Sequence, residues 1–265
     1  MTDVKPRVVA VIPCYNTESH IAEVVTKCLP YVDQVIVVDD GSTDDTAEVA
    51  RKTGALVLSH DKNIGKGAAM KYGAQQANAD ILVFIDGDGQ HNPSEIPRVT
   101  EPIILKGFDA AIGSRHLRGS TITSSLLRRR LANILASLVI FIFTRIFLPL
   151  ISLLKLRIHR DSLRAKTNNL YARNPRPRSK KIITDCTSGF RAITSKHWQE
   201  LSLISDGFQV ETEMIYELRK HKLILTEVPI SCNWNGNISS LSIVEDGYRT
   251  LKLLFKKVAN GFREI

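Results

Sequence analysis

Five short runs rich in Val, Ile and Leu, at residues 7–12, 34–38, 55–59, 81–85 and 109–112, alternate with four stretches of helical character at 19–28, 43–53, 66–78 and 94–106. A run that is apolar at nearly every position suits a strand buried on both faces, and an intervening helix supplies the crossover that parallel strands require. The alternation predicts an α/β chain with a mostly parallel central sheet covered by helices on both sides. Ligands of such sheets sit beyond the carboxyl ends of the strands. The polar residues that follow each run are therefore the first candidates for chemistry.

The fourth run ends in DGDGQHNP, which sets Asp86 and Asp88 at that edge with the amide of Gln90 beyond them. Two carboxylates and an amide are hard oxygen donors suited to Mg²⁺ or Mn²⁺. An ion there can bridge a diphosphate and neutralise the charge that gathers on it as it departs. The second run ends in VDDGSTDDT. Consecutive side chains of an extended chain point to opposite faces, so one of Asp39 and Asp40 is set to reach a nucleobase or ribose while the other fixes the loop. Ser42 or Thr43 is placed to cap the next helix. No GxGxxG follows the first run and no GxxxxGK[ST] occurs anywhere, which removes the dinucleotide and P-loop readings.

At 265 residues the chain suits one substantial core better than two. Its net charge of +9 is concentrated: residues 155–181 hold ten Lys or Arg against one acid, Asp161, an excess equal to that of the whole chain. Such a segment seeks an anionic surface, either nucleic acid or membrane headgroups. The stretch just before it favours the membrane, with a nucleic-acid binder kept as a further reading. Residues 131–156 are strongly apolar and open with Arg128, Arg129 and Arg130, while Arg145 and Pro149 interrupt the apolar run. A mid-span charge and a helix breaker favour two helices lying in the membrane interface over a span, with a buried core helix as the alternative. The end of the chain, SIVEDGYRTLKLLFKKVANGF, reads as an amphipathic helix whose Leu and Phe positions suit either core or lipid. Cysteines at 14, 28, 186 and 232 form no Cys-x-x-Cys pair, and the N-terminus carries no apolar signal core, so a reduced, cytosolic setting is expected.

Taken in order, PCYN from Pro13, VDDGSTDDT from Val38, NIGKGAA from Asn63, DGDGQHNP from Asp86, GSR from Gly113, DCTSGFR from Asp185 and EVPI from Glu227 resemble the family 2 glycosyltransferases. The likeness is greatest to the dolichol-phosphate mannose synthase and polyprenyl-phosphate glucosyltransferase branch, over residues 8–115 and again over 185–229. It implies a single GT-A catalytic domain over 1–265. Within it 1–120 would form the nucleotide-sugar half, 121–182 a membrane-associated insertion, and 183–265 the acceptor side with the terminal helix. The resemblance assigns the nucleoside diphosphate sugar to Pro13, Tyr15, Val38, Asp40, Lys66 and Asp86. It assigns Mg²⁺ or Mn²⁺ to Asp86, Asp88 and Gln90, catalysis to Asp86, Asp88 and Arg115, and the acceptor phosphate to Arg115 and Arg129, with Arg128 or Arg130 as alternatives to the last.

The expected reaction is inverting transfer of mannose, glucose or an N-acetylhexosamine to dolichyl or another polyprenyl phosphate. Such a phosphate is largely anionic near neutral pH, its second pKa being about 6, and needs little help from a general base. Two rival readings remain: transfer to a sugar hydroxyl of a lipid-linked glycan, and an inactive nucleotide-sugar-binding subunit. Placement on the cytoplasmic face of a membrane, peripheral or monotopic, follows, with an anionic surface as partner, no nucleic acid, and room for a membrane partner subunit or homo-oligomer. The chain departs from the family pattern at three points. Thr17 follows Asn16 where a Glu is common, SCNWNGNISSL follows EVPI where arginines are usual, and the apolar and basic insertion is long.

Overall fold

A computed structural model describes residues 5–121, 142, 179, 182–233 and 243–263. The five apolar runs form β1 (Val8–Cys14), β2 (Gln34–Asp39), β3 (Leu56–Ser59), β4 (Ile81–Phe84) and β5 (Ala110–Ser114). Between them lie α1 (Glu18–Cys28), α2 (Thr46–Arg51), α3 (Lys66–Gln76) and α4 (Ile96–Lys106). After residue 182 follow β6 (Arg191–Thr194), α5 (Ser195–Glu200), α6 (Val210–Lys220), β7 (Leu225–Pro229) and α7 (Ile243–Arg263). The seven strands of the sheet lie in the order β3-β2-β1-β4-β6-β5-β7.

Pairing is parallel except at β6, which runs antiparallel to both β4 and β5 and lies between them. The late segment therefore completes the middle of the sheet instead of adding an edge. Every residue of β1 is buried, as a central strand with helices on both faces requires. One apolar cluster packs α3, α6 and α7 on one face, including Val9, Val11, Met70, Met214 and Leu254. The other packs α1 and α4 on the opposite face, through Ile21, Val24, Val25 and Cys28 at helical spacing and Ile96, Val99 and Ile103. Each fully buried Val or Ile contributes roughly 1.5–3 kcal/mol, so this two-sided core fixes the sheet edge on which the loops stand.

One local expectation is corrected. Ser42 and Thr43 do not cap α2, which begins only at Thr46. They face the first loop instead: Asn16 N donates to Ser42 Oγ at 2.9 Å and Thr43 N to Asn16 Oδ1 at 2.8 Å. Glu18, one place after Thr17, accepts from Asp45 N at 3.0 Å and adds a third tie between these loops. Among the described residues no helix is long and apolar enough to cross a membrane; residues 131–156, apart from the single position 142, lie outside the described part.

Candidate active site

The ends of β1, β2, β4 and β5 converge at one edge of the sheet, and those predicted residues that the structure describes stand there. Pro13 and Val38 are register partners and both are buried, while Tyr15 just beyond β1 is exposed. Asp40 is buried and committed to the neighbouring loop. Its Oδ1 accepts from Ile64 N at 3.0 Å and faces His60 Nδ1 at 2.7 Å, and its Oδ2 accepts from Gly65 N at 2.6 Å. Asp39 Oδ1 accepts from Ser42 N at 3.1 Å. Both aspartates thus shape loops, where the alternation of side chains had led to the expectation that one would be turned to a ligand.

Lys66 opens α3 and reaches across the edge. Its Nζ lies 2.5 Å from Asp86 Oδ1 and 2.5 Å from Glu211 Oε1 on α6. Behind Asp86 stands Gly189, where any Cβ would collide with the carboxylate, so the DCTSGFR loop needs glycine at that point. Burial alone would push the Asp86 carboxyl up, but Lys66, with His91 and Arg115, holds it below its ordinary value. Burial likewise opposes the charge on Lys66, and its two carboxylates more than offset this. Glu211 is raised by burial in spite of Lys66.

Asp88 has a different environment. Its Oδ1 accepts from Gln90 N at 3.0 Å, and burial, then the charge of Asp86, lifts its carboxyl to about 6. A carboxylate destabilised in this way gains from a nearby cation. Among the described residues no group of three or more His, Cys, Asp or Glu gathers as a complete metal cage. One or two carboxylates completed by substrate phosphate is, however, the usual way of holding Mg²⁺. Asp86, Asp88 and Gln90 fit a divalent ion on those terms.

Arg115, just after β5, is gripped by Asp185. Nε lies 2.7 Å from Asp185 Oδ2 and Nη2 2.7 Å from Oδ1, and the Arg115 backbone N–H also donates to Oδ2 at 3.0 Å. Burial disfavours both charges, but the pair prevails: Arg115 is held above its ordinary range and Asp185 is brought down to about 2. Asp185 is itself set by Glu227 on β7, whose Oε1 accepts from Thr184 N at 2.8 Å and Asp185 N at 2.9 Å. Arg191, fully buried, donates to the carbonyls of Cys186, Ser188 and Glu211 and so ties the same loop to the start of α6. Arg129, with Arg128 and Arg130, lies outside the described residues.

Asp185, Gly189, Arg191, Glu211 and Glu227 gained no individual role from the sequence, although DCTSGFR and EVPI pointed to their neighbourhood. The segment after EVPI is stitched to the Asp88 loop: Asn233 N donates to Gln90 O at 2.8 Å, His91 bridges Cys232, and Ser231 N donates to Glu95 Oε2 at 2.7 Å. The tail that lacks the usual arginines therefore departs from beside the proposed metal loop.

The model of the family described as glycosyl transferase family 2 matches residues 9–194. The UDP-N-acetylglucosamine–dolichyl-phosphate N-acetylglucosaminyltransferase of Methanococcus voltae is 26% identical over 83% of this chain and 83% of its own. The dolichol-phosphate mannosyltransferase of Pyrococcus furiosus is 28% identical over 85% of this chain, which spans 56% of that relative. Among solved structures, glucosyl-3-phosphoglycerate synthase from Mycobacterium tuberculosis, in complex with Mn²⁺ and UDP-glucose, superposes with a TM-score of 0.62 at 22% identity, covering 94% of this chain and 79% of that one. The fold is GT-A, as the sequence resemblance implied.

Proposed function

The chain belongs to glycosyl transferase family 2, and within that family we propose that it moves a sugar from a nucleoside diphosphate sugar to dolichyl or another polyprenyl phosphate. The names of the Methanococcus and Pyrococcus relatives support the acceptor class. The observation that carries the reading is how the buried charges of the edge are paired. Glu211 is nearly inaccessible and held by Lys66, and Asp185 is held by Arg115, so neither is placed to take a proton from an acceptor hydroxyl. What the edge offers instead is Arg115, oriented by Asp185 with N–H groups to present, which suits a nucleophile that is already an anion.

In this reading the donor lies over Pro13, Tyr15 and Val38, with Asp40 holding the loop that presents Lys66. An oxygen of the acceptor phosphate attacks the anomeric carbon as the bond from that carbon to the diphosphate oxygen breaks on the opposite side, which inverts the centre. Asp86, Asp88 and Gln90 would hold Mg²⁺ or Mn²⁺, which supplies charge neutralisation to the departing nucleoside diphosphate. Arg115 has two of its three nitrogens on Asp185; its planar fork is thereby oriented, and Nη1 is the donor we assign to acceptor phosphate, with Arg129 as its expected companion. The chain would work at the cytoplasmic face of a membrane, where both the apolar stretch at 131–156 and the outer face of α7 favour lipid.

The test is a panel of GDP-mannose, UDP-glucose and UDP-N-acetylglucosamine, each with radiolabelled sugar, against dolichyl phosphate and a hydroxyl acceptor. Label entering the dolichyl phosphate product is expected with one donor. Label entering only the hydroxyl acceptor would overturn the acceptor assignment, and donor binding without transfer to either would leave an inactive binding subunit.

A further inference from the structure

We infer that Lys66 competes with the divalent cation for the carboxylate of Asp86, and that Glu211 is the partner onto which Lys66 falls back when the cation prevails. The inference rests on the metal reading above and concerns residues to which that reading gives no such role. Three negative groups, Asp86, Asp88 and Glu211, share this end of the site with the ammonium of Lys66 and the buried guanidinium of Arg191, while Arg115 and Asp185 cancel each other. The cluster thus keeps a net negative charge, which a divalent ion would offset.

The frame that presents Lys66 is rigid. Gly65 has φ 124°, and a Cβ there would collide with the Asp206 carbonyl. Gly67 N donates to the same carbonyl at 2.6 Å, which pins the start of α3 to the 205–206 segment. That segment is held by α6, since Ser205 N donates to Glu213 Oε2 at 2.8 Å. Lys66 and Glu211 therefore stand on one connected support, whereas Asp86 belongs to the loop after β4. The Lys66 ammonium also lies 5.7 Å from the centre of the Phe208 ring on the same side.

An ammonium and a divalent cation on one carboxylate repel each other, and a four-carbon stem lets the ammonium yield by a small rotation. It is not free to leave altogether. Glu211 is buried, and losing the ammonium would leave its carboxylate away from water with only the more distant charge of Arg191 to offset it, so the Lys66–Glu211 contact is the one that persists. An N–H released from Asp86 is then available to a phosphate oxygen of the donor. Lys66 is a positioning residue in this account: it holds Asp86 in place and delays commitment of that carboxylate to the metal.

The experiment is a titration with Mn²⁺ alone, free ion being read by electron paramagnetic resonance, on wild type, Lys66→Met, Glu211→Gln and the double variant, each checked for native melting. Competition predicts about tenfold tighter Mn²⁺ binding for Lys66→Met and about tenfold weaker binding for Glu211→Gln, because Lys66 then leans wholly on Asp86. In the double variant the effect of Glu211→Gln should largely vanish, since the ammonium that transmits it is gone. A general charge effect would instead make the two substitutions additive, and additivity, or an unchanged affinity for Lys66→Met, overturns the competition alone. Should Met disturb folding at this buried position, Lys66→Gln gives the same arm of the cycle. Failure of wild type to bind Mn²⁺ even with UDP present removes the metal reading itself, and the competition with it.

Discussion

Two lysines in this molecule each face a pair of carboxylates, and both pairs draw on α6. Lys66 bridges Asp86 and Glu211, each at 2.5 Å. Lys257, on α7, bridges Glu213 and Glu217, each at 2.7 Å. Glu213 and Glu217 are four residues apart and share a helix face, while Glu211 is turned well away from them, so one helix serves two clusters. The difference lies in access. Lys257 is 7% exposed and both its carboxylates are fully buried, with Ser202 O as a further acceptor. In the other cluster Asp86 keeps 23% of its side chain open at the carboxyl edge of the sheet. The ion chemistry is the same in both; a cluster becomes a site where one member stays reachable from the strand ends.

If the comparison is right, the two clusters fail differently when broken. Lys257→Met should cost about 3–5 kcal/mol of folding stability, because it removes the buried cation that Glu213 and Glu217 share and leaves Glu217 only the more exposed Lys220 and His221, yet leave turnover per folded molecule near that of wild type. Urea unfolding beside active-fraction kinetics separates the two effects. A variant with native stability but poor turnover would show that the α6–α7 cluster is more than structural. Asp88→Ala should do the reverse. Transfer should fall on the order of 10²–10³-fold, as it should in EDTA, with stability unchanged or slightly improved, since burial and Asp86 already disfavour this carboxylate. Full turnover in EDTA would count directly against the metal.

How much of this was legible beforehand follows from the same clusters. The first five strands fall within two residues of the apolar runs, because β-branched residues buried on both faces leave a continuous signal. The placement of Asp86, Asp88 and Gln90 at the carboxyl edge was legible because it is local, three residues within five positions after a strand. α6 escaped because the amphipathic pattern treats glutamate as solvent-facing. Glu211, Glu213 and Glu217 are all buried, and the lysines that neutralise them lie 145 residues away for Glu211 and 40 for Glu217. β6 escaped for a related reason. It has four residues and opens with Arg191, a buried charge that two nearby carbonyls, Cys186 and Ser188, share with the carbonyl of Glu211 twenty residues on and with the carboxylates the fold gathers around it. Pairings across such distances leave no mark on local pattern.

The Arg115–Asp185 pair sharpens the contrast through pH. Its carboxyl is shifted from the ordinary 3.8 to about 2, against a raised value for Glu211. A depressed folded pKa contributes stability that is complete above the unfolded value and is lost as pH falls through the folded one. Between about pH 4 and pH 2 the pair should therefore surrender roughly 2 kcal/mol. Urea midpoints measured across this window should fall more steeply for wild type than for Asp185→Asn, even though that variant is less stable throughout. Equal slopes would mean that the pair carries no proton linkage.

The smallest expected effect concerns the outer face of α7, which turns the comparison from core and site to core and membrane. Leu254, Lys257 and Val258 face inward and are buried. Tyr248, Leu251 and Phe255 repeat at helical spacing on another side, with Tyr248 66% and Phe255 57% exposed, and the exposed Arg249, Lys252 and Lys256 each follow one of them in sequence. An apolar stripe bordered by cations is the pattern of a helix that lies in a headgroup layer, each basic residue contributing about 1 kcal/mol near an anionic surface. The double variant Tyr248→Ser, Phe255→Ser should keep its melting temperature, since both rings are more than half exposed. It should also lose about tenfold in affinity for vesicles containing anionic lipid, the equivalent of shedding part of two aromatic insertions. Raising the salt should weaken wild type and variant alike, because the basic row is untouched. Unchanged vesicle binding would mean that this face does not meet lipid and that any membrane attachment belongs to residues 131–156 and the basic run behind them. A lowered melting temperature would place the two rings in the packing of the fold, and the outer face of α7 would then join its inner one as structure.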